Sequence, residues 1–273
     1  NLFHLRPRAC DGQRSEATAL TVDPAPAVLV ERDDFFGNPT SFAIVQQLHR
    51  VLDIAAVTFV ERLPVAAPAP AANAGWETVA AQVRTERDAA MLACYQLTFP
   101  SPMIRGSAAL RDYAAPSFAA ERPVLEAAID LSSRLHRDLT YVPGATTVET
   151  TPEEALASGR GVCQDFAHVL IGCLRSVGLP ARYVSGYLVT TRGPTAAADA
   201  LVGADASHAW VAVWTPAAGW VDLDPTNDLL PSDRHVTVAW GRDYGDVCPV
   251  KGVILGGGAH TIDVAVEVTP VAV

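Results

Sequence analysis

The stretch that most restricts the fold is Gly161–Pro180, GVCQDFAHVLIGCLRSVGLP. Glycine at its start and Gly178 with Pro180 at its end punctuate a predicted helix running from about Cys163 to Val177. Phe166, Leu170, Cys173 and Val177 fall along one stripe of that helix, and Ala167, Ile171 and Leu174 widen it. A helix apolar over so much of its circumference is predicted to be largely buried, so other elements must cover it.

Those elements can be read on either side. After Pro180 the chain becomes β-prone: Arg182–Thr190, His208–Trp214 and Trp220–Asp224. Before it, helical patterning runs from Trp76 to about Leu97 and from Pro123 to about Leu139, the latter with Leu125, Ile129, Leu131 and Leu135 as inward positions. Thr151-Pro152-Glu153-Glu154 has the form of a capping box and opens a short helix that stops at Gly159. Residues 1 to about 65 read as β, from the runs at 28–30, 42–45 and 57–60, with a turn-rich stretch at 33–39. The segment PVAAPAPAANAG at 64–75 has linker composition. The expected division is therefore a β-rich domain at 1–65, a linker at 66–75 and a larger domain at 76–273. Two further β-like stretches are expected in the tail from Val236, around Gly256-Gly257-Gly258. The small-residue stretch 191–206 just before His208 is expected to be a mobile loop able to act as a lid.

Composition narrows the function classes. Acidic residues outnumber basic ones by 30 to 20 and no Lys/Arg cluster stands out, so nucleic acid is not an expected partner. No apolar run is long enough to span a membrane, so no membrane association is expected. The five cysteines are odd in number, widely spaced and without a CxxC pair, which suggests neither a zinc site nor a disulfide framework. Their usage fits a reducing, cytoplasmic compartment, although a chain beginning at Asn1 says little about a leader.

Cys163 itself is the chemically informative residue. At the start of a buried helix, free N–H groups and the helix dipole stabilise a thiolate. Cysteine pKa values at such places fall to roughly 3.5–7.5, and the thiolate is the nucleophilic form. Most cysteines are simply small buried hydrophobes, and Cys173 fits that description, as do Cys10, Cys94 and Cys248. A thiolate enzyme also needs a base and a group to orient it. The segment SHAWVAVW, then Thr215–Gly219, then WVDLDP reads as a hairpin. If Trp214 pairs with Trp220, His208 and Asp224 become diagonal neighbours on one face, roughly 7–8 Å apart at the backbone. Asp222 shares that face one step further along and is the poorer partner. Each of these signals is weak alone; their order along the chain gives them weight.

The segments GVCQDFAHVLIGCLRSVGLPARYVSGYL, SHAWVAVW and GWVDLDPTND resemble the core of the bacterial transglutaminase-like family. LRPR, VDPAP and DDFFGNPT resemble the β-rich N-terminal domain that accompanies that core, and GRDYGDVCPVKGVILGGGAH its C-terminal end. The resemblance covers most of the chain. It implies an α+β, papain-like transglutaminase core, a nucleophile helix packed on an antiparallel sheet, preceded by a small all-β domain whose first strand is missing or partial here. The family's Cys, His and Asp fall on Cys163, His208 and Asp224. The backbone N–H of Cys163 is a plausible oxyanion donor, and Gln164 is either a second donor or a solvent-facing side chain. Asp165 and His168 are spaced to bond each other, and Tyr187 and Trp210 are candidates for lining the acyl pocket, with core packing the default for both.

The chemistry so implied is attack of the Cys163 thiolate on a carboxamide or peptide carbonyl, with His208 protonating the leaving amine. The substrate is expected to be a peptide, a protein or a small amide, and no cofactor or metal is expected. Hydrolysis of the thioester is favoured over transfer to an amine, because water needs no dedicated acceptor site. A non-catalytic binding module on the same fold is the rival of a different class. A metal-dependent hydrolase would need a cluster such as HExxH, and none is present.

Overall fold

The computed structural model describes residues 1–63, 74–189, 201–203, 206–256 and 258–271. Most of the expected linker and most of the 191–206 stretch lie outside the described residues.

The N-terminal region contains β1 (Leu2–Phe3), β2 (Gln13–Ser15), β3 (Ala19–Asp23), β4 (Val28–Asp33), β5 (Pro39–Ile44), β6 (Asp53–Val57) and β7 (Val60–Arg62). Helices follow: α1 (Trp76–Thr85), α2 (Ala89–Tyr95), α3 (Ala108–Ala114) and α4 (Val124–Asp138). Then come β8 (Thr140–Tyr141), α5 (Pro152–Ser158), β9 (Arg160–Gly161) and α6 (Cys163–Ser176). The chain continues through β10 (Ala181–Leu188), β11 (His208–Thr215), β12 (Gly219–Leu223), β13 (His235–Gly241), α7 (Tyr244–Val247) and β14 (Val250–Lys251).

The predicted central helix is α6, and every residue from Asp165 to Arg175 is buried. It packs on β10 and β11 on one side and against α3, α4 and α5 on the other. The sheet beneath it is antiparallel with order β12-β11-β10-β13. Alternation along β11 decides what each face meets. Ala209, Val211 and Val213 join the main core under α6, whereas Trp210 and Ala212 face the other way, into a second cluster with Val184.

That second face is covered by the N-terminal region. The Arg8 guanidinium lies 3.2 Å over the Trp240 ring, and Arg182 lies 3.6 Å over Trp240 and 4.4 Å over Trp220. Two side-chain amides also pair with the backbone of β13 as a neighbouring strand would. Gln13 donates to Thr237 O at 2.7 Å and accepts from Thr237 N–H at 2.8 Å. Asn38 donates to Trp240 O at 2.8 Å and accepts from Trp240 N–H at 2.9 Å. An edge strand that would otherwise expose unpaired groups is thereby closed.

Three expectations change in detail. The helical run predicted at 76–97 is divided, because Asp88 leaves helical geometry and caps α2 by accepting from Met91 N–H. In the tail, both strands precede the glycines, and residues 258–271 contain none; without a partner edge a β-prone run has no ladder to join. Finally, β14 pairs with β1, so the sheet of order β14-β1-β5-β4 takes one short strand from the C-terminal end, within the expected 76–273 region. Among the described residues, this sheet and the one under α6 share no strand.

Candidate active site

Cys163 is the first residue of α6 and is half-buried. Asp165 N–H and Phe166 N–H bond the Val162 carbonyl, which leaves the N–H groups of Cys163 and Gln164 at the positive end of the dipole beside the sulfur. Asp165 fixes the entry into the helix, accepting from Val162 N–H at 2.7 Å and from the Thr146 hydroxyl at 2.6 Å. Asp165 therefore does not turn to His168. The His168 Nε2 instead accepts from Tyr244 N–H at 3.2 Å, and burial pushes that ring's pKa down to about 4.

His208 opens β11, and Asp224 lies one residue beyond β12. The hairpin register is Trp214↔Trp220, as the sequence predicts. His208 Nε2 donates to Asp224 Oδ2 at 2.8 Å, with both side chains fully buried. Asp222, one step along the same face, instead accepts from the Trp210 indole at 3.1 Å and lies beside Arg182.

Five donors surround the Asp224 carboxylate. Oδ1 accepts from Thr226 N–H at 3.0 Å and Asn227 N–H at 3.2 Å. Oδ2 accepts from His208, from Asn227 Nδ2 at 2.8 Å and from His235 Nε2 at 3.2 Å. Burial alone would raise the Asp224 pKa, but the hydrogen bonds from His208 and His235 outweigh it and hold the carboxyl well below the usual range. Burial likewise opposes charge on His208, yet Asp224 and the nearby Cys163 sulfur raise its pKa to about 9. Among the described residues the His208 Nδ1 closes no hydrogen bond, while the Cys163 sulfur is near enough to the ring to raise its pKa.

A short piece of chain comes close to the same nitrogen. A Cβ on Gly203 would lie 2.7 Å from His208 Nδ1, so only glycine permits that approach. The same piece is tied to Asn227: Val202 N–H donates to Asn227 Oδ1 at 2.8 Å, and Asn227 Nδ2 reaches Val202 O at 3.3 Å.

The remaining expected residues are more dispersed. Gln164 directs its amide to Val148 O at 3.4 Å. Tyr187 is partly buried against the main core, and burial pushes its phenol up to about 12. Trp210 is wholly buried behind His208, with ring centroids 6.2 Å apart, so it supports the site from within the sheet rather than lining a cleft. Gly186, opposite His208, makes that possible, because a Cβ there would lie 2.3 Å from the indole.

Two residues of the site went unread in the sequence, Asn227 and His235. The signal for Asn227 is its spacing three residues after Asp224, at a turn where a side-chain amide can fold back. The signal for His235 is a histidine opening an apolar β run, as His208 does. Among the described residues, His208, Asp224 and His235 bring three potential metal-ligand atoms within 4.8 Å of one another. The two imidazole nitrogens already bond Asp224 Oδ2, so the trio reads as a hydrogen-bonded cluster rather than a metal centre.

Comparison with known proteins bears on the family and the fold. The model of the transglutaminase-like superfamily matches residues 111–225, and that of the bacterial transglutaminase-like N-terminal region matches residues 1–61. An uncharacterised protein of Mycobacterium tuberculosis is 42% identical over 97% of this chain and 85% of its own length. A protein-glutamine gamma-glutamyltransferase of Pseudomonas aeruginosa is 35% identical over 34% of this chain and 14% of its own length. In fold, the chain resembles the crystal structure of a candidate cysteine protease of Cytophaga hutchinsonii, with a TM-score of 0.67 at 20% identity, covering 91% of this chain and 78% of that one. The α+β core with its β-rich N-terminal region thus has its counterparts, and they support cysteine-dependent acyl transfer in general: the chain belongs to the bacterial transglutaminase-like family.

Proposed function

We propose that this protein cleaves amide or peptide bonds by acyl transfer through a thioester on Cys163, with His208 as acid and base and Asp224 as the group that orients it. The observation that carries this reading is the buried 2.8 Å contact between His208 and Asp224 at the start of the helix that bears Cys163. In the productive complex the imidazole nitrogen that closes no other bond faces the sulfur. The thiolate attacks the carbonyl carbon. Its oxygen takes up negative charge beside the Cys163 N–H, and the imidazolium gives its proton to the departing amine. Water, deprotonated by the same imidazole, then attacks the thioester, releasing the acid and the free thiol. The predicted substrate is a peptide, a protein or a small amide.

Transfer to an amine in place of water is the second reading. Likeness to the Pseudomonas aeruginosa protein-glutamine gamma-glutamyltransferase favours it. One experiment separates the two. Wild type and Cys163→Ala are incubated with peptide and amide pools at rising concentrations of a primary amine, and products are read by mass spectrometry. Acid product from wild type alone is the expected result. Amide product dominating at modest amine concentration would replace hydrolysis by transfer. Equal product from Cys163→Ala would sink both readings.

A further inference from the structure

His235 has no part in the mechanism just described, yet it is buried against it. It opens β13, and β11 and β13 both run antiparallel to β10, so they run in the same direction on either side of it. Gly186 pairs with His208, and Leu188, two residues along the same strand, pairs with His235. The two histidines therefore emerge at the same end of the sheet, with ring centroids 6.3 Å apart. Each presents Nε2 to the same atom, Asp224 Oδ2, at 2.8 Å from His208 and 3.2 Å from His235. The Trp210 indole stands edge-on to His235 at 5.3 Å and holds the ring in place.

We infer that His235 is a positioning residue: it shares Asp224 Oδ2 with His208 and so sets how much of the carboxylate's charge reaches the His208 imidazole. This rests on the reading of Cys163, His208 and Asp224 given above.

The local chemistry supports that role. A hydrogen bond donated to a carboxylate oxygen draws charge away from any second donor on that oxygen. Asp224 does not depend on His235 for its position, because Thr226 and both amide groups of Asn227 also hold it. Removing the His235 donor therefore leaves the carboxylate in place and increases its pull on His208. The charged groups around the pair are few. Asp224 and Cys163 face His208, and Asp224 and Asp222 face His235. Burial raises the Asp222 pKa, and Arg182, the Trp210 indole and Arg62 from β7 offset only part of that rise. Among the described residues neither Nδ1 atom closes a hydrogen bond, and the Cys163 sulfur is the group that acts on the His208 ring besides Asp224.

The test needs no natural substrate. Alkylation of Cys163 by iodoacetamide is followed against pH in full-length wild type, His235→Phe and His235→Gln, and the His208 ring is titrated by NMR in each. Thermal unfolding checks that the variants are folded. In wild type the His208 titration is expected near pH 9. His235→Phe removes the donor while filling the space, and should move the titration and the basic limb of the alkylation profile upward by roughly half a unit. His235→Gln keeps an N–H donor and should return both toward wild type. A folded His235→Phe whose titration and profile coincide with wild type would overturn the inference while leaving the proposed reaction intact. A shift in Phe that Gln does not reverse would also overturn it, since bulk rather than the donor would be responsible. If His208→Ala leaves wild-type alkylation unchanged, it is the underlying reading of the site that falls.

Discussion

The two larger sheets of this molecule differ in how they are covered. In the sheet under α6, β11 is buried along nearly its whole length, because α6 lies on one face and the N-terminal region on the other. In the N-terminal sheet, every residue of the outer strand β4 is exposed, including Val28, Leu29 and Val30. Coverage on both faces allows the first sheet and its end to hold polar groups in places without water: Asp224, His208 and His235, with Asp222 half-buried beside them. A carboxylate in such a place stays charged only with several donors, and a histidine beside it is drawn toward its charged form. The N-terminal sheet buries neutral polar groups, Thr40 and Ser41 on β5, rather than a cluster of charged ones. Its contribution is the set of side chains it places against β13 and over Trp240.

The comparison makes its largest prediction about catalysis. Asp224→Asn keeps the shape of the site but loses the charge that raises the His208 pKa, and turnover should fall by about 10³–10⁴-fold. Asp222→Asn leaves the His208 contact intact and should cost far less, although Asp222 sits only two residues from Asp224 on the same hairpin. Turnover of one test amide by both variants decides it. Equal losses would mean that burial in this sheet, rather than contact with His208, sets the requirement.

Stability should divide in the same way. Leu170 is completely buried in α6, and Leu170→Ala should cost about 3–5 kcal/mol through lost burial and the cavity left behind. Leu29, on β4, is 46% exposed, and Leu29→Ala should change stability by no more than about 0.5 kcal/mol. Urea unfolding of the two variants measures both. A large effect at Leu29 would show that something covers β4 in solution.

The pH dependence of stability sharpens the contrast further. The folded His208 pKa is raised from 6.5 to about 9, so the folded protein holds that proton more tightly than the unfolded chain does. Its contribution is fully present below pH 6.5 and is lost as pH rises through 9, amounting to up to about 3 kcal/mol. Asp224→Asn should flatten that decline. Unfolding free energies at pH 6, 8 and 10 for wild type and variant give the comparison. Parallel curves would mean that Asp224 is not what raises the His208 pKa.

The candidate site was more legible in the sequence than its surroundings, and the reason is physical. A helix buried on every side and a hairpin register set by two tryptophans are local patterns, visible over a dozen residues, and they placed Cys163, His208 and Asp224. His235 meets Asp224 only through strand order, because β13 lies beyond β10, and no periodicity encodes order across a sheet. For Trp210 both core packing and pocket lining stayed open, with packing the default, because alternation gives its face but not what covers that face; the N-terminal region does, with Arg8 and Arg182 stacked on the neighbouring Trp240. The short helix α3 was missed because its seven residues are too few for a clear period. The pairing of β14 with β1 joins residues nearly the whole chain apart.

A more local effect concerns the seam between the two regions. Asn38 is fully buried, and its side-chain amide serves both the N–H and the carbonyl of Trp240 on β13. Its oxygen also accepts from the Arg8 guanidinium, and its amide donates to Asp34 Oδ2 at 2.8 Å. Asn38→Ala leaves the Trp240 backbone groups unpaired in a buried place, which costs about 1–3 kcal/mol. Asn38→Asp keeps the acceptor for Trp240 N–H and Arg8 but loses the donor to Trp240 O. It also sets a second carboxylate against Asp34, so it should not restore stability. Because His235 begins the same strand, loosening this seam should also broaden the NMR signal of the His235 ring while leaving Cys163 alkylation selective over Cys173. Urea unfolding and ring spectra of the two variants measure these effects. If Asn38→Ala is as stable as wild type, the side-chain amide is not what closes β13, and the covering of that edge must be assigned to Gln13 and the stacked arginines instead.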